Sequence, residues 1–371
     1  TAAVVGCGAL AGCKTPPAAD LRPLVSHATQ SRFGAAAGPG AGPVVVPEEV
    51  GHGGPVTEDQ AVVLALWNNA LFREQLVELD LTRADLVQAG LLPNPELIYF
   101  WPVSGKAFKF AIEFPLEAVY LRPLRVKAAA QENERAAGRL TQLALDLIRD
   151  TRQAHSDLLL AHDRVQVAER AVRLRERILE LAETRQKAGD ASALEVSTAR
   201  IDALQARQDL VRLTYEIRVA EERLLNLTGL SNTAVLFRPD ETSVDPRLPA
   251  ELDALVADAV ENRPDAVAAA HAARAAAERV RLARLGWVRF LGVMDATSGK
   301  LTGHELGPAL RLTLPIFNRN QGGIGRAEAE NEQLRLRQQT VQNQIILDVR
   351  TAHARVEQAR AERDALRART R

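Results

Sequence analysis

At 371 residues the chain is long enough for two or three ordinary domains, but its composition, 46% hydrophobic and only 4% aromatic, is that of long helices and coiled coils rich in Ala, Leu, Arg, Glu and Gln. Lys+Arg and Asp+Glu both total 47, so the net charge is zero, which gives no electrostatic grip on nucleic acid or on an anionic membrane surface. No run of about 18 apolar residues exists, so a transmembrane helix is excluded and any membrane crossing must use strands or a lipid.

The chain begins TAAVVGCGALAGCKTPP. Small apolar residues, then Leu10-Ala11-Gly12-Cys13, then Lys14 and two prolines, read as the end of a lipoprotein signal. Signal peptidase needs small side chains before the cleaved bond, and the Cys13 thiol would take the diacylglycerol; an ordinary secretory signal is the blander reading. Residues 1–13 are therefore expected to be a signal remnant whose basic start is missing, with Cys13 favoured over Cys7 for acylation. Both cysteines lie here, so the body of the protein has no disulfide framework. Residues 14–56, rich in Pro, Gly and Ala, read as an extended tether without a core. Thr57 then caps a helix expected over about 57–91.

From Thr57 onward the chain reads as one unit used twice. Ala65-Leu66-Trp67-Asn68-Asn69 is echoed by Ala259-Val260-Glu261-Asn262-Arg263, and Ser104-Gly105-Lys106 by Ser298-Gly299-Lys300. Glu113-Phe114-Pro115-Leu116 is echoed by Thr313-Leu314-Pro315-Ile316, and Leu124-Arg125-Val126-Lys127-Ala128 by Ile324-Gly325-Arg326-Ala327. The first repeat is placed at 57–235, with strands at about 96–102 and 107–115, a long helix at about 124–188 and a shorter one at about 192–228. The second is placed at 236–371, with a helix at 250–285, strands at about 287–294 and 307–315, and a long helix from 324 that stops in its middle at Arg371.

In the shorter helix Val196, Ala199, Ala203, Ala206, Leu210, Leu213, Ile217, Ala220, Leu224 and Leu227 alternate three and four apart, a coiled-coil seam. In the long helix Leu140, Leu147, Ala154, Ala161 and Ala168 recur every seven, interleaved with Ala144, Leu158, Val165, Val172 and Leu179. Small Ala knobs suit packing on more than one side, as a barrel of helices requires. Between the helices Gly189 can take positive φ, and Ser192 with Glu195 forms a capping box. The long helix would span roughly 95 Å, about the length of its two shorter neighbours laid end to end.

Phe108, Phe110, Ile112 and Phe114 alternate with Lys109 and Glu113, giving one apolar face and one largely charged face. That suits the wall of a transmembrane barrel; a small soluble sheet capping a helical bundle would carry the same pattern. Four strands cannot close, and the smallest membrane barrels have about 8, so several chains would have to share one barrel.

The order of helix, Gly90-Leu91-Leu92-Pro93-Asn94-Pro95, strand pair, Pro115 or Pro315, and long Ala-rich helix resembles the TolC-type outer-membrane factor family. Leu314-Pro315-Ile316-Phe317-Asn318-Arg319, with the glycines before Arg326, is similar to its strand-to-helix signature. Arg185 to Val196 is similar to its periplasmic tip. The resemblance covers roughly 57–371. It implies a mainly α fold with a small β part: a homotrimer with a twelve-stranded transmembrane barrel, four strands per chain, above an α-barrel tunnel. It also implies an outer-membrane location and a tip, Gly189, Asp190, Ala191, Ser192 and Leu194, docked on the periplasmic adaptor of an inner-membrane pump. Phe108, Phe110, Ile112 and Phe114 would then face outer-membrane lipid. Pro-Leu-Glu at 115–117 and Leu121-Arg122-Pro123-Leu124-Arg125-Val126 look most like the cobalt–zinc–cadmium branch. Leu285-Gly286-Trp287-Val288-Arg289 departs from the Pro-rich junction expected in the second copy. The second hairpin, where the family's gating carboxylates sit, lies beyond Arg371.

Catalytic signatures are lacking, and no enzyme activity, cofactor or metal site is expected. Ser298-Gly299-Lys300-Leu301-Thr302 lacks the first Gly and final Ser/Thr of a P-loop and reads as a turn. Gly322-Gly323-Ile324-Gly325 reads as a helix entry. His155 and His162, seven apart, read as solvated histidines rather than metal ligands, and the Arg/Glu runs as solvated faces. The expectation is a passive efflux conduit for small molecules or metal ions; the alternative is a lipid-anchored coiled-coil spacer or adhesin, which would not need paired strands in both repeats.

Overall fold

Thr57 has the geometry of a helix start: its hydroxyl accepts from the Gln60 amide and the Gln60 side chain accepts from the Thr57 amide, a reciprocal capping box. In the computed structural model, which describes residues 20–33, 56–101, 109–231, 237, 251–299 and 303–369, this start opens α2 (Glu58–Asn68), followed by α3 (Ala70–Gly90). The remaining elements are α1 (Arg22–Phe33), β1 (Glu96–Phe100), β2 (Lys109–Pro115), α4 (Glu117–Lys187), α5 (Ala193–Leu227), α6 (Leu252–Asn262), α7 (Pro264–Leu285), β3 (Phe290–Gly299), β4 (Gly303–Leu312) and α8 (Gln321–Arg369). The protein is mainly helical with one small antiparallel sheet. Cys7, Cys13 and Phe108 lie outside the described residues.

Several boundaries differ from the sequence expectation. The helix expected over 57–91 breaks at Asn69, and the one expected over 250–285 breaks at the equivalent Arg263. Asn69 ends α2 and caps α3, its Oδ1 accepting from the Phe72 amide at 3.0 Å. Its Nδ2 donates to the Leu227 carbonyl at 3.0 Å. At Arg263 the following Pro264 occupies the first turn of α7, where its missing N–H costs nothing. The long helix starts at Glu117 rather than 124 and contains Pro123, which loses one backbone bond but has a helical φ. The expected extended run over 14–56 is interrupted by α1, where Val25 and Thr29 are buried, as is Leu21 just before the helix. The second strand pair sits at 290–299 and 303–312 instead of 287–294 and 307–315, because β3 pairs with β2 as far as Thr297 and with β4 as far as Gly299.

The chain forms two compact units, each assembled from separated segments. The unit of Leu24–Val77 and Leu143–Arg247 holds the α4/α5 pair. Every seam residue of α5 from Val196 to Leu227 is buried or half-buried, and Ala154, Leu158 and Leu224 form the centre of a cluster with Ile217, Ala220 and Leu227. His155, expected to be solvated, is buried within α4 at 3% exposure; His162, about two helical turns further on, is half-buried. The other unit, Thr1–Pro23, Glu78–Gln142 and Leu248–Arg371, holds the sheet and α7, α8 and the first part of α4. There Gly138 lets helices meet closely: a Cβ on it would lie 3.0 Å from Ala268 Cβ and 3.0 Å from the Pro264 carbonyl oxygen. Arg122 closes the end of α3 by donating from Nε to the Gly90 carbonyl at 2.7 Å.

Candidate functional site

Four strands in the order β1-β2-β3-β4, all antiparallel, join the β1–β2 and β3–β4 pairs into one sheet through β2 and β3. Because side chains alternate along each strand, the register assigns faces. One face stacks Tyr99, Phe110, Ala296 and Leu306 across the strands, then Leu97, Ile112, Met294 and Pro308, then Phe114, Gly292 and Leu310, and finally Phe290 and Leu312. Every residue in those rows is apolar. Most are open to solvent, Leu97 at 69%, Leu306 at 67% and Leu310 at 64% exposure. Tyr99 and Trp101 stack edge to face at one end with centroids 4.8 Å apart, and Tyr120 and Phe290 meet at the other at 5.8 Å.

The opposite face carries the charges. Arg311 donates through Nη1 and Nη2 to Glu113 at 2.9 and 2.6 Å, and Lys109 lies 3.3 Å from Asp295. Glu113 is only 6% exposed, and a carboxylate so placed needs such a fork of donors. The alternation read in the sequence thus places Phe110, Ile112 and Phe114 together, away from Lys109 and Glu113. Arg311 alternates with Leu310 and Leu312 in the sequence, but its pairing with Glu113, and that of Asp295 with Lys109, depend on contacts across strands.

The second feature is the turn between α4 and α5. Gly189 has φ +86. The Asp190 amide donates to the Arg185 carbonyl at 2.8 Å and the Gly189 amide to Gln186 at 3.0 Å, the pair of bonds that ends a helix in a Schellman motif. Ser192 Oγ accepts from the Glu195 amide at 3.2 Å to start α5. Between these caps Asp190 is exposed, Ala191 half-buried, and Leu194 76% exposed. Among the described residues no cluster of three or more His, Cys, Asp or Glu is arranged to hold a metal ion, and no helix is long and apolar enough to cross a membrane.

Residues 107–230 match the family described as outer membrane efflux protein. The fold agrees with that match over most of the chain: a membrane protein of Pseudomonas aeruginosa superposes with a TM-score of 0.71 at 23% identity, covering 84% of this chain and 79% of that one. Over residues 107–230 the chain is similar to outer membrane efflux proteins. The outer membrane protein VceC of Vibrio cholerae is similar in the same way, with a TM-score of 0.65 at 18% identity over 82% of this chain and 80% of that chain. Among curated proteins, the cobalt-zinc-cadmium resistance protein CzcC of Cupriavidus metallidurans is 27% identical over 283 residues, 73% of this chain. This chain spans 66% of the length of that relative. The family match covers β2, α4, the tip and α5, so the turn falls inside it and β1, β3 and β4 fall outside.

Proposed function

We propose that the protein is the outer-membrane channel subunit of a tripartite efflux system, a passive conduit with no chemistry of its own. The observation that carries this reading is the two-faced sheet: one face presents the apolar rows from Tyr99 to Leu312, most of them open, and the other is charged and internally ion-paired. In a membrane the apolar face, with Phe110, Ile112 and Phe114 and the preceding Phe108, would meet lipid, and the Glu113–Arg311 face would line the lumen. The sheet has two open edges, β1 and β4, which hydrocarbon does not tolerate. Three copies contribute twelve strands and close the barrel.

On the same reading Cys13 carries a lipid anchor. The tip of Gly189, Asp190, Ala191, Ser192 and Leu194 docks on a periplasmic adaptor, which links the conduit to an inner-membrane pump. The likeness to a cobalt-zinc-cadmium resistance protein favours metal ions as cargo over larger organic molecules.

Single cysteines at Phe110, Ile112 and Phe114 and at Lys109 and Glu113, in the full-length protein in membranes, test the reading. The first set is expected to react with a lipid-soluble reagent and the second with a water-soluble one. Uniform labelling by the water-soluble reagent would make this a soluble sheet and end the channel reading. Mass spectrometry of the mature protein and of Cys13→Ser tests the anchor separately, since an unmodified Cys13 would remove it without touching the barrel.

A further inference from the structure

Nothing in the local sequence requires the break between α2 and α3. Residues 57–89 contain no Pro and no Gly, and Ala70, the strongest of helix formers, follows the break directly. A restarted helix leaves first-turn amides without acceptors inside it. The interruption at Asn69 therefore has a cause elsewhere in the molecule, and that cause is the end of α5.

The last four carbonyls of a helix have no partner within it. In α5 the Leu224 carbonyl accepts from the Thr228 amide at 2.9 Å, that of Leu225 from Leu230 at 2.9 Å and that of Asn226 from Gly229 at 3.2 Å. The fourth, Leu227, accepts from Asn69 Nδ2 at 3.0 Å, across 158 positions of sequence. The oxygen of the same amide turns to α3 and accepts from the Phe72 amide at 3.0 Å. These two partners fix which way the amide points, since a carbonyl needs a donor and an N–H needs an acceptor. A peptide unit inside a helix is bonded in the same sense, donating to one turn and accepting from the next. The fit around the joint is close. Gly229, at φ +70, lies so near the break that a Cβ on it would stand 2.3 Å from the Asn68 carbonyl oxygen and 2.6 Å from its carbon. At the equivalent break in the second repeat, Arg263 instead donates to Asp265 of α7 at 2.7 Å and to Asp348 of α8 at 3.4 Å.

We infer that the Asn69 amide splices α5 to α3, so that loosening of the helix that starts at the tip turn is passed to the helix that leads into β1. The joint lies within one compact unit, the one that holds Leu24–Val77 and Leu143–Arg247. It stands whether or not the sheet spans a membrane. A single side chain that completes the hydrogen bonding of two helix ends makes the opening of either end felt at the other, because the bond lost at one end frees the group that holds the second.

The test is hydrogen exchange of the full-length protein in phospholipid vesicles, read by mass spectrometry on peptides covering 70–76 and 225–231. Glu222→Gly loosens the last turns of α5 from an exposed site. With Asn69 present it is expected to speed exchange roughly threefold in both peptides, the weight of the lost helix propensity. Asn69→Ser keeps a capping oxygen for Phe72 but carries no amide to reach Leu227. In that background Glu222→Gly is expected to speed exchange over 225–231 as before and to leave 70–76 unchanged. Asn69→Asp keeps the cap and sets a second acceptor against the Leu227 carbonyl, and it supplies an independent background with the same expectation. An equal response of 70–76 with and without the Asn69 amide would mean that packing alone couples the two ends, and would overturn the splice. No response of 70–76 even with Asn69 in place would make Asn69 a helix cap and nothing more, and would overturn it as well.

Discussion

Gly189 has nothing within 4 Å of where a Cβ would stand, and its φ is +86. A substitution there is therefore opposed by backbone conformation alone. Gly189→Val is expected to cost about 1–2 kcal/mol, since left-handed geometry penalises every L residue and β-branched ones most. Leu194→Asp, at a site 76% exposed, should change stability by less than about 0.5 kcal/mol yet sharply reduce efflux if the tip meets an adaptor. Melting curves together with a resistance assay separate the two. Normal efflux by stable Leu194→Asp protein would remove the tip as the docking site.

Arg311 is the other residue whose loss should be felt. Arg311→Met leaves the buried Glu113 carboxylate without its paired donors, and the expected loss is about 1–3 kcal/mol. The figure is kept below that of a fully buried pair because the Arg311 side chain is 59% exposed. Glu113→Gln in the same chain should recover part of it, and a double-mutant cycle from denaturant unfolding of the reconstituted protein measures the coupling. Strict additivity would show the pair to be ornamental.

Among the elements, the α4/α7 contact contains a titrating group. His271 Nδ1 lies 2.8 Å from Gln131 Oε1, and against an amide oxygen it is the donor. Burial lowers the His271 pKa below its ordinary value and Arg274 adds to this, while Glu134 opposes them. A depressed histidine pKa means that the unfolded chain binds the proton more readily. Stability is thus intact above about pH 6.5 and falls as pH drops below it, levelling off once the folded form also protonates. His271→Gln should flatten that slope in unfolding measured at several pH values. An unchanged slope would place the acid sensitivity elsewhere.

The elements also separate what the sequence made legible from what it did not. The α5 seam was legible because heptad spacing is a local property, and Val196, Ala199, Ala203 and Leu224 are all buried. The break at Asn69 was hidden by apolar residues that continue through it. Its signal was the polar Asn68-Asn69 pair, and Arg263-Pro264 carried a plainer one. α1 was masked by the Pro and Gly around it. The limits of β3 and β4 could not be read locally: Gly292, Gly307 and Pro308 are poor strand residues, and they are ordered by ladders with β2 and with each other. The Glu113–Arg311 pair, on separate strands 198 residues apart in sequence, has no local signature at all.

At the scale of the whole molecule the open edges of the sheet make the sharpest demand. β1 and β4 are outermost, so cysteines at Ile98 and Ala309, which share the charged face, are separated within one chain by three strand spacings. That is roughly 14 Å at about 4.8 Å per strand, twice the Cα separation of about 7 Å beyond which a disulfide cannot form. Any disulfide between them must therefore join two chains. A shared barrel predicts that oxidation of the double-cysteine protein in membranes yields covalent dimers and then a closed product of three chains. The neighbour's register is not fixed by one chain, so the β4 cysteine is also placed at Gly307 and at Arg311, two residues to either side on the same face; one of the three positions should crosslink far better than the others. A ladder that passes three chains without closing would indicate an open assembly. Absence of crosslinks at all three registers, in protein that is folded and membrane-bound, would mean that β1 and β4 do not meet between copies, and the trimeric barrel would have to be abandoned.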